Sequence, residues 1–246
     1  MTPFLKSLIP DPIKTVAREA YYRLEPSLYA GSAVECPCCG ASFRRFLPTG
    51  RPERYARCGK CGGVERHRLL RLYLENSTNL FSSPLRLLHF APEGIFRDLF
   101  SSLPNVKYTS VDYCQPSDAH MDIMKLAFPD NSFDAIVCIH VLEHIPDDLQ
   151  AMRELHRVLR SGGWAILQVP IRMESATTYE DPTITDPAQR RIHFGQEDHV
   201  RWYGRDYAER LKRAGFTVKI DGYVRELDVE RYGLDPTEDV YRCGKL

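Results

Sequence analysis

From residue 84 onward, short apolar runs alternate with helical patterns, and this alternation constrains the fold more than any other feature of the chain. The runs are LRLLHF (85–90), VKYTSVD (106–112), FDAIVCIHV (133–141), WAILQVP (164–170) and FTVKIDGY (216–223). Their β-branched and aromatic residues suit a pleated, half-buried surface. Between them lie stretches such as DDLQAMRELHRVLRSGG (147–163), which sets Met152, Leu155 and Leu159 on one helical face before Gly162 and Gly163 stop the pattern. A helix after each strand carries the chain back to the starting end of the sheet, so the strands pair in parallel. The expected core is an α/β domain with its sheet covered on both faces. A chain of 246 residues is long enough for one such domain and an appendage.

The appendage has its own signature. Residues 32–72 contain two C-x2-C pairs, Cys36/Cys39 and Cys58/Cys61, with 18 residues between them. Each pair can fold as a knuckle that presents two thiolates, and two knuckles supply the four ligands of a closed tetrahedral zinc site. Cys38 could compete, but only 36/39 keeps two intervening residues. A site closed by four thiolates has no position for substrate, so this zinc ribbon is read as architectural. Cys114, Cys138 and Cys243 are scattered and read as ordinary core or surface thiols. Residues 1–31 place Ile13, Val16, Ala17, Ala20, Tyr21 and Leu24 at helical spacing, after Asp11 as N-cap and Pro12 in the first helical position. This amphipathic N-terminal helix is expected to pack on the body of the protein. Peripheral membrane contact is the other use of such a face.

The formal net charge is zero, so the whole chain has no general pull toward nucleic acid or an anionic membrane. The distribution is uneven: residues 1–75 carry 13 Lys/Arg against 7 Asp/Glu, or +6, which leaves −6 for the rest. Arg44, Arg45, Arg51, Arg54, Arg57, Lys60, Arg66, Arg68 and Arg71 surround the cysteines, which keeps nucleic-acid binding as a reading. Two features weigh against it. Four thiolates on zinc carry a net −2 that nearby arginines would partly neutralise, and only Phe43, Phe46 and Tyr55 offer stacking surfaces. The opening MTPFLKSLIP is short, interrupted by Lys6 and broken by Pro3 and Pro10, unlike a secretory signal. No apolar run approaches the roughly 20 residues of a bilayer span. The expectation is a cytoplasmic protein with reduced or metal-bound cysteines and no transmembrane segment.

The turn after the first strand, Ala91-Pro92-Glu93-Gly94, carries one glycine. Phosphate-cradling turns of nucleotide-binding folds carry several, and Glu93 would repel a pyrophosphate. Yet the second strand ends in Asp112, 19 residues beyond Glu93, where an acid accepts from ribose hydroxyls in dinucleotide-binding folds. A ligand with a ribose, no phosphate and a positive charge fits both facts. S-adenosylmethionine answers that description.

MDIMKLAFPDNSFDAIVCIHVLEHIPDD (121–148) and ELHRVLRSGGWAILQVP (154–170) resemble the class I S-adenosylmethionine-dependent methyltransferases, specifically the type 11 family. The resemblance covers residues 84–170. It implies a doubly wound, mostly parallel seven-stranded Rossmann-like sheet, here spanning residues 73–246. It also implies that the turn Ala91, Pro92, Glu93, Gly94 meets the amino-acid end of the cofactor, Asp112 its ribose and Asp122 its adenine, with Ile139 also beside the cofactor. The family usually shows D-x-G-x-G-x-G at the first turn, where this chain has His89, Ala91 and Glu93 instead.

The long polar stretch 171–204 then reads as a substrate lid, and its HFGQEDHVRWYG (193–204) resembles a bacterial subgroup that also carries the zinc ribbon. The lid offers His193, Gln196, Asp198, His199, Arg201 and Tyr203 to a polar acceptor. His140 directly follows the fourth strand, where α/β sheets place ligands. A hydroxyl acceptor must lose a proton during methyl transfer, and imidazole can take it near neutral pH. Glu143 and His144 read as residues that order that loop. The expected activity is methyl transfer to oxygen (or nitrogen) of a polar small molecule or glycan. The alternatives are an RNA methyltransferase that grips its substrate through the basic ribbon, and a non-catalytic binding module that keeps the cofactor fold.

Overall fold

The computed structural model describes residues 27–246, and at 51–53 the backbone alone. Most of the expected N-terminal helix, at 1–26, lies outside the described residues. The chain divides into two compact units: residues up to Asn76 with Val224–Glu238, and Ser77–Tyr223 with Asp239–Leu246.

In the first unit, β1 (Ala30–Cys36) pairs antiparallel with β2 (Ala41–Phe43), and β3 (Leu47–Thr49) with β4 (Arg51–Arg57). Helix α1 (Glu65–Ser77) follows. Such short strands bury little, and Phe43 and Phe46 pack with the cysteines in a small cluster. Arg68 on α1 organises the unit. Its fully buried guanidinium donates to the carbonyls of Ala56 at 2.7 Å, Gly63 at 3.1 Å, Tyr232 at 2.6 Å and Gly233 at 2.6 Å, and stacks 3.8 Å from the Phe46 ring centre. Those acceptors offset the cost of burying its charge. Two of them tie the segment 224–238 to the cysteine strands. Gly233 has φ +54, and a Cβ there would come within 2.5 Å of the Phe46 ring, so only glycine fits the contact.

The second unit is built on β5 (Leu85–Phe90), α2 (Gly94–Ser102), β6 (Val106–Asp112), β7 (Ala119–His120), β8 (Phe133–Ile139), α3 (Asp148–Val158) and β9 (Leu159–Gln168). The lid region contributes β10 (Tyr179–Glu180), α4 (Pro187–Phe194) and β11 (Arg201–Trp202), with β10 and β11 forming their own ladder. Then come α5 (Tyr207–Arg213), β12 (Thr217–Asp221) and β13 (Val240–Gly244). The sheet order is β12-β13-β9-β8-β5-β6-β7. Pairing is parallel from β9 to β7, and β13 runs antiparallel to both its neighbours. The chain starts in the middle at β5, moves outward through β6 and β7, then returns to β8 on the other side of β5. That reversal opens a crevice at the carboxyl ends of β5 and β8.

All seven residues of β8 are buried, as a strand with helices over both faces requires. Asp134 within it pairs with Arg86 and Arg160 at the amino ends of the strands. Helix α3 buries Ala151, Met152, Leu155 and Val158 against the sheet and is capped by Asp147, whose side chain accepts from the Gln150 amide. The helical pattern expected to run to Gly162 ends earlier. Leu159 is extended and pairs with Phe133, because its side chain is buried within the sheet's core. The two glycines sit in an irregular stretch of β9, where the ladder skips from Leu159 to Trp164. No described helix is long and apolar enough to cross a membrane.

His89, on β5, is 1% exposed; its Nδ1 lies 3.1 Å from the Tyr108 hydroxyl and its ring meets Phe100 edge-on. Burial lowers its pKa to about 4. The unfolded chain therefore takes up a proton below the ordinary imidazole value while the folded one does not, so stability is full above pH ~6.5 and declines toward pH ~4. Urea unfolding across this window should show a loss of about 3 kcal/mol from this group. His89→Gln should flatten that pH dependence, and an unchanged slope would contradict it.

Candidate cofactor site and cysteine centre

Two non-glycine residues with positive φ stand at the crevice: Ala91, φ +47, just past β5, and His140, φ +53, just past β8. Each costs roughly 1 kcal/mol or more, and such strain persists where surrounding structure enforces it. Here backbone bonds do so: the Ala91 amide donates to Val111 at 2.9 Å and the His140 amide to Gln168 at 2.8 Å. The turn Ala91-Pro92-Glu93 then leads into α2 at Gly94, where an added Cβ would meet open space.

Asp112 closes β6. Its Oδ1 accepts from the amides of Cys114 at 2.8 Å and Gln115 at 2.7 Å, which pins the carboxylate at the strand end. Asp122 follows β7 and its Oδ1 accepts from the Met124 amide at 2.8 Å, so it also orders a turn. Ile139 is the last residue of β8. Parallel registers align Phe90 with Val111 and Cys138, and Asp112 with His120. Ala91, Pro92, Glu93, Gly94, Asp112, Asp122 and Ile139 thus share one rim of the sheet. Its chemistry fits S-adenosylmethionine: a pinned carboxylate can accept from two ribose hydroxyls, and Glu93 can face an ammonium group. A surface hollow lined by Arg86, Asn105, Lys107, Asp134 and Arg160 opens at the opposite ends of the strands, away from where such sheets bind ligands.

His140 introduces the loop 140–148. Its Nδ1 lies 3.1 Å from Glu143 Oε1 on the short 3-10 turn Leu142–His144. Glu143 is 1% exposed. A carboxylate accepting from Nδ1–H leaves the Nε2 lone pair outward, the arrangement of an oriented base. His144 follows, with Nδ1 3.3 Å from both the Asp198 carbonyl and Asp198 Oδ2. The sequence marks Glu143 as a residue that orders this loop, and the structure sets its carboxylate against the His140 ring three residues earlier.

The lid is folded rather than loose. Asp186 caps α4 by accepting from the Gln189 amide, and Gly195 ends it with φ +85. Its candidate residues separate into groups. His199 is buried, with Nδ1 3.2 Å from the Phe194 carbonyl and its ring edge-on to His144. His193 pairs with the Tyr179 hydroxyl at 3.1 Å, and Gln196 and Asp198 are exposed. Arg201 and Tyr203 are buried struts. Arg201 donates to Glu180 and to the carbonyls of Leu142, Ile145 and Pro146. The Tyr203 hydroxyl donates to Asp148 at 2.7 Å, and Arg210 grips the same carboxylate through two nitrogens at 2.6 and 2.9 Å. Burial alone would raise the Asp148 pKa, but Arg210, Arg201 and Tyr203 outweigh it and keep the carboxyl below its usual value. Asp148, Glu180 and Arg210, which complete this network, carry no local motif.

In the first unit the four knuckle cysteines converge. Cys36 Sγ lies 3.6 Å from Cys61 Sγ, Cys39 Sγ 3.6 Å from Cys58 Sγ, and all four sulfurs lie within 4.8 Å of one another. Tetrahedral zinc at 2.3 Å from each sulfur sets them about 3.8 Å apart, so the cluster fits that ion. Backbone bonds shape both knuckles: the Cys39 and Gly40 amides donate to the Cys36 carbonyl, and the Lys60 amide to Cys58 Sγ. Cys38 points elsewhere, its thiol donating to the His67 carbonyl at 3.4 Å. Cys138 and Cys243 are buried and Cys114 is exposed.

Residues 97–167, from within α2 to near the end of β9, match the type 11 family described as "Methyltransferase domain". A demethylmenaquinone methyltransferase from Listeria monocytogenes serotype 4a is 42% identical over 57 residues, which cover 23% of this chain and 24% of that relative. One from Staphylococcus epidermidis is 47% identical over 47 residues, covering 19% and 20%. The chain thus spans under a quarter of the length of these curated relatives. Among solved structures, the YcgJ protein from Bacillus subtilis aligns at 20% identity and a TM-score of 0.48, covering 63% of this chain and 70% of that one. An S-adenosylmethionine dependent methyltransferase from Mesorhizobium loti aligns at 16% identity and a TM-score of 0.43, covering 66% and 91%. Over residues 97–167, then, the chain is similar to the methyltransferase domain of the type 11 family.

Proposed function

We propose that the protein methylates an oxygen (or nitrogen) of a polar small molecule or glycan, with His140 as the base. The pairing of His140 with buried Glu143 at the crevice carries this reading. S-adenosylmethionine, when bound, supplies an electrophilic methyl group. Asp112 would hold its ribose and the turn Ala91–Gly94 its amino-acid end, with Asp122 and Ile139 beside the adenine. His140 Nε2 then takes the proton that an acceptor hydroxyl loses. The exposed part of the lid, with His193, Gln196 and Asp198, offers polar contacts suited to a hydroxyl-rich acceptor. The buried Arg201 and Tyr203 act on the acceptor only by fixing the lid.

The RNA reading has less support. Arg68 is buried, while Arg54 pairs with Glu65 and Arg71 with Glu75, so several basic residues near the cysteines are already engaged. The four cysteines are proposed to hold a structural zinc.

Most acceleration in methyl transfer comes from positioning, and a base adds roughly 10²–10⁴-fold for a hydroxyl acceptor. His140→Ala should lower kcat by about that factor while calorimetry finds S-adenosylmethionine affinity nearly unchanged. His193→Ala and Gln196→Ala should act mainly through the acceptor's KM. Lid variants that control kcat while His140→Ala is silent would move the base to the lid.

Elemental analysis of protein whose cysteines are intact should find a thiolate-bound zinc in each chain. Cys58→Ser should lose it and destabilise the first unit, because the binding energy of a structural metal is folding energy. A metal-free protein of unchanged stability would refute the zinc.

A further inference from the structure

Glu143 Oε1 faces His140, but Glu143 Oε2 is buried and has no hydrogen-bond partner among the described residues. An acceptor left unmade in the interior is costly, more so when charged. Two imidazoles adjoin this carboxylate. One ligand atom each from Glu143, His144 and His199 lies within 4.8 Å of the others. We infer that these three residues form a metal site, separate from the cysteines, for a divalent transition-metal ion of borderline softness such as Zn2+, Co2+ or Ni2+.

The state of the two rings supports this. His144 Nδ1 faces the Asp198 carbonyl at 3.3 Å, and His199 Nδ1 faces the Phe194 carbonyl at 3.2 Å. A carbonyl can only accept, so Nδ1 carries the proton in each neutral ring and Nε2 keeps its lone pair. Metal-binding histidines are oriented in the same way, by donating their second nitrogen to a carbonyl or carboxylate.

The donor set selects the ion. Two imidazoles and one carboxylate suit zinc, cobalt and nickel, whereas magnesium and calcium prefer all-oxygen shells. Bonds of 2.0–2.2 Å set neighbouring ligand atoms about 3–3.5 Å apart, and small side-chain rotations close the remaining gap. The backbone is already fixed for this: the Val200 amide donates to the Glu143 carbonyl at 2.9 Å, and Arg201 clamps the carbonyls of Leu142, Ile145 and Pro146. Side chains from the strand-end loop and from the lid are thus locked in register.

Three protein ligands leave a coordination position open, as catalytic sites do and closed structural sites do not. If the methyl-transfer reading holds, that position lies one carboxylate away from His140. An acceptor hydroxyl bound there would release its proton more readily to the base. The metal site itself does not rest on that reading.

The test uses protein as purified, with its cysteines loaded. Equilibrium dialysis against Co2+, followed by elemental analysis and absorption spectra, should find one bound ion per chain beyond the thiolate-bound one, without new thiolate charge-transfer absorption. If purified protein already carries a second ion, the same analysis should show it displaced or retained at that stoichiometry. His144→Ala removes a partly exposed ligand, and Glu143→Gln keeps the shape of the carboxylate. Each should weaken this second binding at least 10–100-fold, the scale seen even for supporting groups around metals, while the first ion stays. A wild-type protein that takes no second ion at millimolar Co2+, or variants that bind it as tightly as wild type, would overturn the proposal. Cofactor affinity measured alongside separates the two readings: its loss with metal binding intact would count against the methyltransferase site alone.

Discussion

The candidate site depends on one buried cation. Arg201, on the lid strand β11, sends its guanidinium beneath the loop 140–148 and donates to three successive carbonyl regions there and to Glu180. Those carbonyls belong to a 3-10 turn and its exit, which have no regular ladder to satisfy them, and unpaired buried backbone acceptors are costly. Asp148 balances the charge, gripped by Arg210 and the Tyr203 hydroxyl. A buried ion network is weak evidence for stability, because desolvation cancels much of the attraction. Its physical effect is geometric: loop and lid cannot move independently while it is intact, and His140, Glu143, His144 and His199 all sit on those two segments.

A second constraint comes from the backbone. The family that this chain resembles usually shows glycines after the first strand, and this chain places Ala91 there with φ +47. His140 takes the equivalent strained conformation at the end of the neighbouring strand. Both are enforced by amides bonded across to adjoining strands. The side chains at these positions are thereby aimed by main-chain geometry rather than by rotamer choice, which suits a rim where ligand and acceptor must meet at a fixed distance.

Much of this was legible in the residues, for identifiable reasons. Strands β5, β6, β8 and β12 coincide closely with the runs marked in the sequence; β8 does so because a strand buried on both faces must be apolar throughout, whereas β12 is a largely exposed edge strand. The cysteine knuckles were readable because metal spacing is local. The end of α3 was not: the helical period continues through Leu159, and only pairing with Phe133 turns that residue into a strand. VYRCG (240–244) is short and holds Arg242 and Gly244 among its five residues, yet it inserts between β9 and β12. Segment 224–238 joins the cysteine unit through Arg68, whose burial no charge count could reveal. In the lid, residue types alone suggested a single polar cluster. Their burial separates struts from exposed groups, and that distinction exists only in three dimensions.

In the proposed function, the carboxyl ends of β5, β6 and β8 hold the cofactor with its sulfur facing His140. A crystal structure with S-adenosylhomocysteine bound tests this most directly. The ribose hydroxyls should lie within hydrogen-bonding distance of Asp112, the amino-acid end against Ala91–Gly94, and the sulfur on the His140 side of the crevice. A nucleoside bound away from Asp112, or a sulfur facing away from His140, would contradict it.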